Sequence, residues 1–173
     1  GTVDGVTSAL FYFAFFGVLG AIAFRAINTL DSMIGYRDVE NRNIGWFPAK
    51  LDTAANYIPA RLTALIMILS ALLLRESWRN SSEVLARDRN RTESPNAGWS
   101  MSALAGALKI RLEKPGFYVL GAEKLPLTGH ITRALRMMKL TSFLFVAIVV
   151  VPLVLLMPRV VGNRSGQMGL IAL

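Results

Sequence analysis

Three stretches of this chain carry no charged residue, and their lengths set the first expectations. Residues 9–24 (ALFYFAFFGVLGAIAF) run uncharged, and extending them to 7–27 gives the length of a membrane crossing. Residues 140–157 (LTSFLFVAIVVVPLVLLM) do the same. About 20 mostly apolar residues cross a bilayer core. Transmembrane helices are therefore predicted over about 7–27 and 140–158. Pro152 is expected to kink the second, which membrane helices tolerate. The middle stretch, 62–74, has only 13 residues between Arg61 and Arg75. That length suits a short span, a re-entrant segment or a buried helix.

Between these stretches the polar positions predict the connections. Helix one extends to about residue 33, with Gly35 as its stop and a loop over 36–48. Asp52 and Asn56 share a helix face, and Pro59 kinks or restarts that helix before Arg61. Ser94-Pro95 reads as a turn or helix start, with Ser94 as cap and Pro95 at the first position. Met101, Leu104, Ala105, Leu108 and Leu112 then recur at helical spacing, and Gly106 would let a neighbour come close. "EKPGFY" is a turn centred on Pro115-Gly116. Residues 125–129 form a loop, and 131–139 lead into the last helix. The expected fold is all-α: one polytopic integral membrane domain over 1–173, with two transmembrane helices and a short helix at 62–74.

Composition supports that class. The chain is 53% hydrophobic and 17% charged, against about a quarter charged in soluble domains. The net charge of +8 is uneven. Residues 75–139 hold 12 Lys/Arg against 6 Asp/Glu, and residues 25–61 hold 5 against 4. The positive-inside rule places 75–139 in the cytoplasm. The basic excess lies beside membrane segments and has no aromatic interleaving, so no nucleic-acid partner is expected. There is no cysteine, which removes thiolate chemistry and disulfides. One histidine, His130, allows no histidine-based metal cluster and reads as a loop residue. No phosphate-binding glycine loop or dinucleotide fingerprint occurs, and no tightly bound cofactor is expected.

Three polar clusters remain in the apolar sequence. The first is Asn28, Asp31, Ser32 and Tyr36. The second is Asp52, Asn56, Tyr57 and Arg61. The third is Arg87, Asp88, Ser94, Asn96, Gly98 and Trp99. Ionisable groups near bilayer depth are costly and tend to be paired or functional. One reading pairs Asp31 and Asp52 with Arg25 and Arg61 to neutralise helix ends. The other makes the clusters a site.

The clusters carry a resemblance. "NTLDSMIGY", then "LDTAANYIPARLTAL", then "RDRNRTESPNAGWSMSALAGAL" resemble the CobD/CbiB family, the adenosylcobinamide-phosphate synthases of cobalamin biosynthesis. The match covers about residues 3–112. The opening "VDGVTSALFY" is similar to that family's D-G-V-x-x-P-L-F-Y, with Ala9 at the proline. Where the family has G-G-P-x-Y-Y this chain has "EKPGFY", keeping the final aromatic as Tyr118. Family members run to roughly twice this length, so the chain reads as the C-terminal half of such a protein. Its first half, or a second copy, is then a partner.

The resemblance implies ATP-dependent amide formation between adenosylcobyric acid and (R)-1-amino-2-propanol phosphate. It also implies catalytic roles for Asp31, Asp52, Arg61 and Asn96. Asp31 and Asp52 would hold Mg²⁺, which favours carboxylate oxygens, with Asp88 next in line. Arg61 and Arg87 would clamp phosphates. Asn28, Asn56 and Asn96 would orient phosphate or amide groups, and Tyr36 would line the substrate site. Ser94 and the amides after it form an anion site at a helix start. Trp99 would pack at the interface or against a large flat ligand. Two other readings are a non-catalytic membrane signalling relative of the AmpE type and a transporter fragment. ATP and the corrinoid precursor are cytoplasmic, so all three motifs should face one compartment of the cell membrane. Residues 62–74 are accordingly expected not to span.

Overall fold

The computed structural model describes residues 2–34, 45–122, 125 and 127–156. A π-helical turn, Val3–Thr7, leads into α1 (Ser8–Ile34). Then come α2 (Trp46–Ala55), α3 (Tyr57–Leu73), α4 (Trp78–Asp88) and α5 (Ala97–Leu108). A two-stranded antiparallel hairpin, β1 (Arg111–Lys114) and β2 (Tyr118–Gly121), precedes α6 (Thr128–Phe145). The all-α membrane architecture is present, with the hairpin as an addition. Two helical segments, Val3–Ile34 and Thr128–Leu156, are long and apolar enough to cross a membrane.

The first of these does not run straight. At Gly17 the backbone takes φ 65°, ψ −152°, a conformation open to glycine and strained for other residues. The chain reverses there. The rings of Tyr12 and Phe24 stack with centroids 5.5 Å apart. On a straight helix their Cα atoms would be separated by about 18 Å. A Cβ on Gly20 would lie 2.5 Å from the carbonyl oxygen of Tyr12, eight residues earlier. Thus α1 is a helical hairpin with arms 8–16 and 18–34, where the apolar pattern predicts one crossing. Hydropathy records only that both arms are greasy, and a single glycine decides that they fold together.

The middle segment is longer than its apolar run. α3 continues α2 after a 44° bend at Asn56. Pro59 sits in the first turn of α3, where its missing N–H has no helical partner to lose. α3 ends with Arg75 in the left-handed region and Glu76 N–H donating to Ala71 O at 2.8 Å. α5 ends alike, with Lys109 at φ 55° and Ile110 N–H donating to Ala105 O at 3.0 Å. Both are Schellman-type stops built on a basic residue in place of glycine. Helical spacing carried the expected helix to Leu112, but that residue lies in β1, paired with Leu120.

α4 is amphipathic: Ser81, Val84, Leu85 and Asp88 face inward. It packs antiparallel on α5 at a separation that two glycines permit. A Cβ on Gly106 would meet Asn80 O at 2.6 Å, and one on Gly98 would meet Arg89 O at 2.0 Å. Ser81 Oγ donates to Ala103 O at 2.7 Å across the same contact. α5 runs parallel to α3, from Asn96 at the start of α3 to Ala107 beside Ser77 at its end. α6 runs back along α3, with Arg133 on Glu76 and Thr141 Oγ1 donating to Ser70 Oγ at 3.0 Å. Met67, Leu85, Ala103, Leu108 and Met137 join these helices in one core. Near Pro152 the last helix widens into a π turn, Val146–Val150, before continuing to Leu156. Proline offers no N–H to the preceding turn, so the distortion falls just ahead of it.

Candidate functional site

The three polar motifs meet at the bend between α2 and α3. Asp52, on the last turn of α2, sits one helical turn before Asn56. Asn56 Nδ2 donates to Asp52 Oδ2 at 3.0 Å, as the shared face predicts. Asn28, on the second arm of α1, donates from Nδ2 to Asp52 Oδ1 at 3.2 Å. Ser8, at the start of the first arm, donates to Asn56 Oδ1 at 2.5 Å. One residue earlier, the hydroxyls of Thr7 and Thr63 are 2.7 Å apart, fully buried. The reversal at Gly17 is what lets residues 8 and 28 reach residues 52 and 56, one helical turn apart at the end of α2.

The third motif closes the other side. Asn96 is buried and donates from Nδ2 to Thr53 O at 2.8 Å. Its Oδ1 accepts from Arg61 Nη1 at 3.3 Å. Arg61 also donates to Tyr57 O at 2.6 Å. Its guanidinium lies 3.3 Å from the Tyr57 ring centroid and 4.7 Å from that of Trp99. Arg89 lies 5.1 Å from the Trp99 ring. Trp99 therefore serves as a platform for two guanidiniums, where the sequence suggested a membrane-interface or ligand contact.

Among the described residues, Asp31 and Asp52 form no ion pair with Arg25 or Arg61, so that sequence reading does not hold there. Asp4 and Asp31 lie close enough to Asp52 for the carboxylates to interact. Each Asp52 oxygen accepts one neutral amide N–H and keeps lone-pair capacity. Among the described residues, no group of three or more His, Asp or Glu side chains is placed to hold a metal ion. An apolar cavity of about 600 Å³ opens beside the seam, lined by Tyr12, Phe16, Gly20, Phe24, Leu51 and Ala54. The Tyr12 hydroxyl donates to Ala55 O at 3.0 Å.

Other expected site residues lie elsewhere. Asp88 is fully buried and ties α4 to the β-hairpin. It accepts from Arg87 Nε and Nη2, each at 2.8 Å, and from Gly121 N–H at 2.9 Å, with Arg91 at 3.2 Å. Those bonds, led by the one from Arg87, hold its carboxyl below the ordinary aspartate range against the opposing effect of burial. The same bond raises the Arg87 guanidinium. Arg87 also donates to Gly121 O at 2.8 Å, so its fork is occupied. Ser94 does not cap with Pro95 at the first helical position. α5 begins at Ala97, and Ser94 Oγ accepts from Asn96 and Ala97 N–H at 3.4 Å inside the preceding turn. His130 is not in a loop: its Nδ1 accepts Leu127 N–H at 3.0 Å in the first turn of α6. Tyr36 and Gly35 lie outside the described residues.

Sequence reasoning missed Ser8, Thr7 and Arg89. The adjacent hydroxyls of "VTS" inside an apolar run were a visible signal. Arg89 was hidden among the arginines of "RDRNR", where only the fold distinguishes one from the next.

A family model described as "CobD/Cbib protein" matches residues 1–158. The "Probable cobalamin biosynthesis protein CobD" of Methanothermobacter thermautotrophicus is 57% identical over 118 residues, covering 68% of this chain and 40% of the relative. The protein of the same name from Thermoplasma volcanium is 39% identical over 158 residues, covering 91% and 51%. The "Cobalamin biosynthesis protein CobD" of Dehalococcoides mccartyi is 44% identical over 124 residues, covering 72% and 40%. The chain thus spans about half or less of these relatives' length. No solved structure matches it. With the family match over all the described residues, and its three motifs gathered on one seam, the chain belongs to the CobD/CbiB family.

Proposed function

We propose that this chain acts in cobalamin biosynthesis as part of an adenosylcobinamide-phosphate synthase. That enzyme joins adenosylcobyric acid to (R)-1-amino-2-propanol phosphate as an amide and consumes ATP. The relatives' names support the pathway, and the motif resemblance supports the reaction. The observation that carries it is the convergence of all three motifs through Asn28–Asp52–Asn56 and Arg61–Asn96–Thr53.

A carboxylate does not condense with an amine at neutral pH until one oxygen becomes a leaving group. Phosphoryl transfer from ATP to the corrinoid carboxylate gives an acyl phosphate and ADP. The amine then attacks the acyl carbon, and phosphate departs. Such chemistry depends on positioning and on charge neutralisation.

The seam has the groups for both. Asp52 is held by neutral amides and remains an uncompensated oxygen donor with Asp31 nearby. Mg²⁺ commonly takes one or two carboxylates plus waters and phosphate oxygens, so Asp52, whose oxygens keep lone pairs to spare, would hold it, with Asp31 as the second ligand. When bound it would neutralise phosphate charge. Arg61 and Arg89, stacked on Trp99 and without a carboxylate partner among the described residues, would hold the anionic end of a substrate. Arg89 takes the role expected of Arg87. Asn96 orients Arg61, and Asn28 and Asn56 orient Asp52. The site faces the cytoplasm at the cell membrane, since ATP and the precursor are there. α4 supports this placement: packed on α5 beside α3, it carries Arg79, Glu83 and Arg87, charges that a spanning α3 would take into lipid.

The test is a condensation assay on membranes. They would contain this chain alone, or the chain co-expressed with the unmatched part of the Thermoplasma volcanium relative. Amide product is read by mass spectrometry. Arg89→Ala is expected to raise the KM for a phosphate-bearing substrate about 10-fold or more, the scale of a lost charge-assisted contact. Absence of product in both preparations, with the chain present in the membrane, would overturn the reading.

A further inference from the structure

We infer that α1 is a re-entrant hairpin that enters and leaves one face of the bilayer and seats its tip among the acyl chains of a single leaflet. The inference rests on the geometry of α1 and does not depend on the reaction proposed above.

Both ends of the hairpin are at the seam. Ser8 bonds Asn56, and Asn28 bonds Asp52, one turn away on the same chain segment. A crossing helix would part these residues by the thickness of a membrane. Here they are neighbours.

The tip has the chemistry of hydrocarbon. No charged residue occurs between Asp4 and Arg25. Phe13, Phe16, Val18, Leu19 and Ile22 cluster around the reversal with their side chains outward, Phe16 at 68% and Leu19 at 79% exposed. A patch of this kind marks a partner surface. Its dimensions select the partner. The arm 8–16 is about 13 Å long at 1.5 Å per residue. That is close to half of a hydrocarbon core about 30 Å thick. The apolar end of α6 lies in the same layer, since Ala14 shares a buried cluster with Phe145 and Val150. Irregular backbone is the costly feature in lipid, and here the non-helical conformation is confined to one residue, Gly17.

Two measurements test this on the full chain, which has no native cysteine. In the first, Gly5→Cys, Leu19→Cys and Met33→Cys are made singly and probed in sealed inside-out vesicles and in right-side-out spheroplasts. A membrane-impermeant maleimide is used, with detergent-opened samples as the measure of full labelling. The expected result is that positions 5 and 33 label from the same side. Position 19 labels only with a lipid-soluble maleimide or after detergent. Labelling of 5 and 33 from opposite sides, or of 19 from the far side, would overturn the inference. In the second, Tyr12→Cys and Phe24→Cys are combined and treated with a membrane-permeant bismaleimide shorter than the ~18 Å that a straight helix puts between the two positions, and the linked peptide is sought by mass spectrometry. The hairpin, which stacks the two side chains, predicts an intramolecular cross-link. Failure to link, with both cysteines reacting with a monofunctional maleimide, would equally overturn it.

Discussion

Asp52 and Asp88 are the same side chain in opposite circumstances. Asp88 is sealed from solvent and surrounded by cations and a backbone amide: Arg87, Arg91 and Gly121 N–H. Asp52 is half-buried and held by two neutral asparagine amides. A carboxylate whose charge is answered by arginine is complete, and its oxygens are committed to holding two elements together. A carboxylate oriented by amides is fixed in place but keeps its charge, and so can still answer an incoming cation or donor. Burial alone would single out Asp88, yet it is the more buried aspartate whose oxygens are already taken by partners. Arg87 and Arg89 repeat the contrast for cations, one locked on a carboxylate and the other resting on an aromatic face.

The sharpest way to break this comparison is to remove the charge from each aspartate and read both activity and stability. Asp52→Asn keeps the shape and one of the two orienting bonds but loses the charge. It is expected to lower amide formation about 100-fold or more, the scale of a lost electrostatic catalytic contact, with little change in thermal unfolding in detergent. Equal turnover by this variant would remove Asp52 from the site.

Asp88→Asn should do the reverse. Gly121 N–H and the two arginines lose a charged acceptor, at a cost of about 1–3 kcal/mol, moderated because both arginines are half exposed. Chemical unfolding would measure that loss. Turnover per folded molecule should stay near wild type, and a collapse of turnover without loss of stability would erase the distinction.

A gentler test uses acid. The folded Asp88 carboxyl lies below its ordinary range, so its contribution is fully present above the unfolded pKa. It is lost as pH falls through the folded value. Unfolding followed from neutral pH downward should show an acid limb that Asp88→Asn flattens. If both proteins lose stability in parallel, Asp88 is not the residue titrating.

The smallest expected effect concerns the orientation of Asn56. Ser8→Ala removes the hydroxyl that donates to Asn56 Oδ1. It should cost about 0.5–1.5 kcal/mol of stability, with a fall in turnover smaller than that of Asp52→Asn. An unchanged protein on both measures would show that the Asn28 contact suffices to place Asp52.

Much of this was legible along the chain because it depends on neighbours in sequence. The Asp52–Asn56 pair follows from helical period, the Pro115-Gly116 turn from φ preferences at proline and glycine, and the tight approach at Gly106 from its missing side chain. What failed shares one trait. Asp88 sits among arginines and Asp52 among leucine and alanines, yet nothing in "RDRNR" says that Arg87 folds back while Arg89 reaches Trp99. Leu112 fits helical spacing as well as it fits a strand. Those choices rest on contacts between residues distant in sequence.

The sequence by itself determined the class of molecule, the extent of its apolar segments, the polar motifs and their kinship. Each of these is additive along the chain: transfer free energies sum over residues, and short-range periodicity needs no partner. Only the tertiary structure decided that the first apolar segment doubles back at Gly17, that the three motifs form one seam, and which aspartate is left with an unanswered charge. A carboxylate's charge is compensated or not by whatever lies within a few ångströms of it, and for Asp52 those neighbours come from parts of the chain that only the fold brings together.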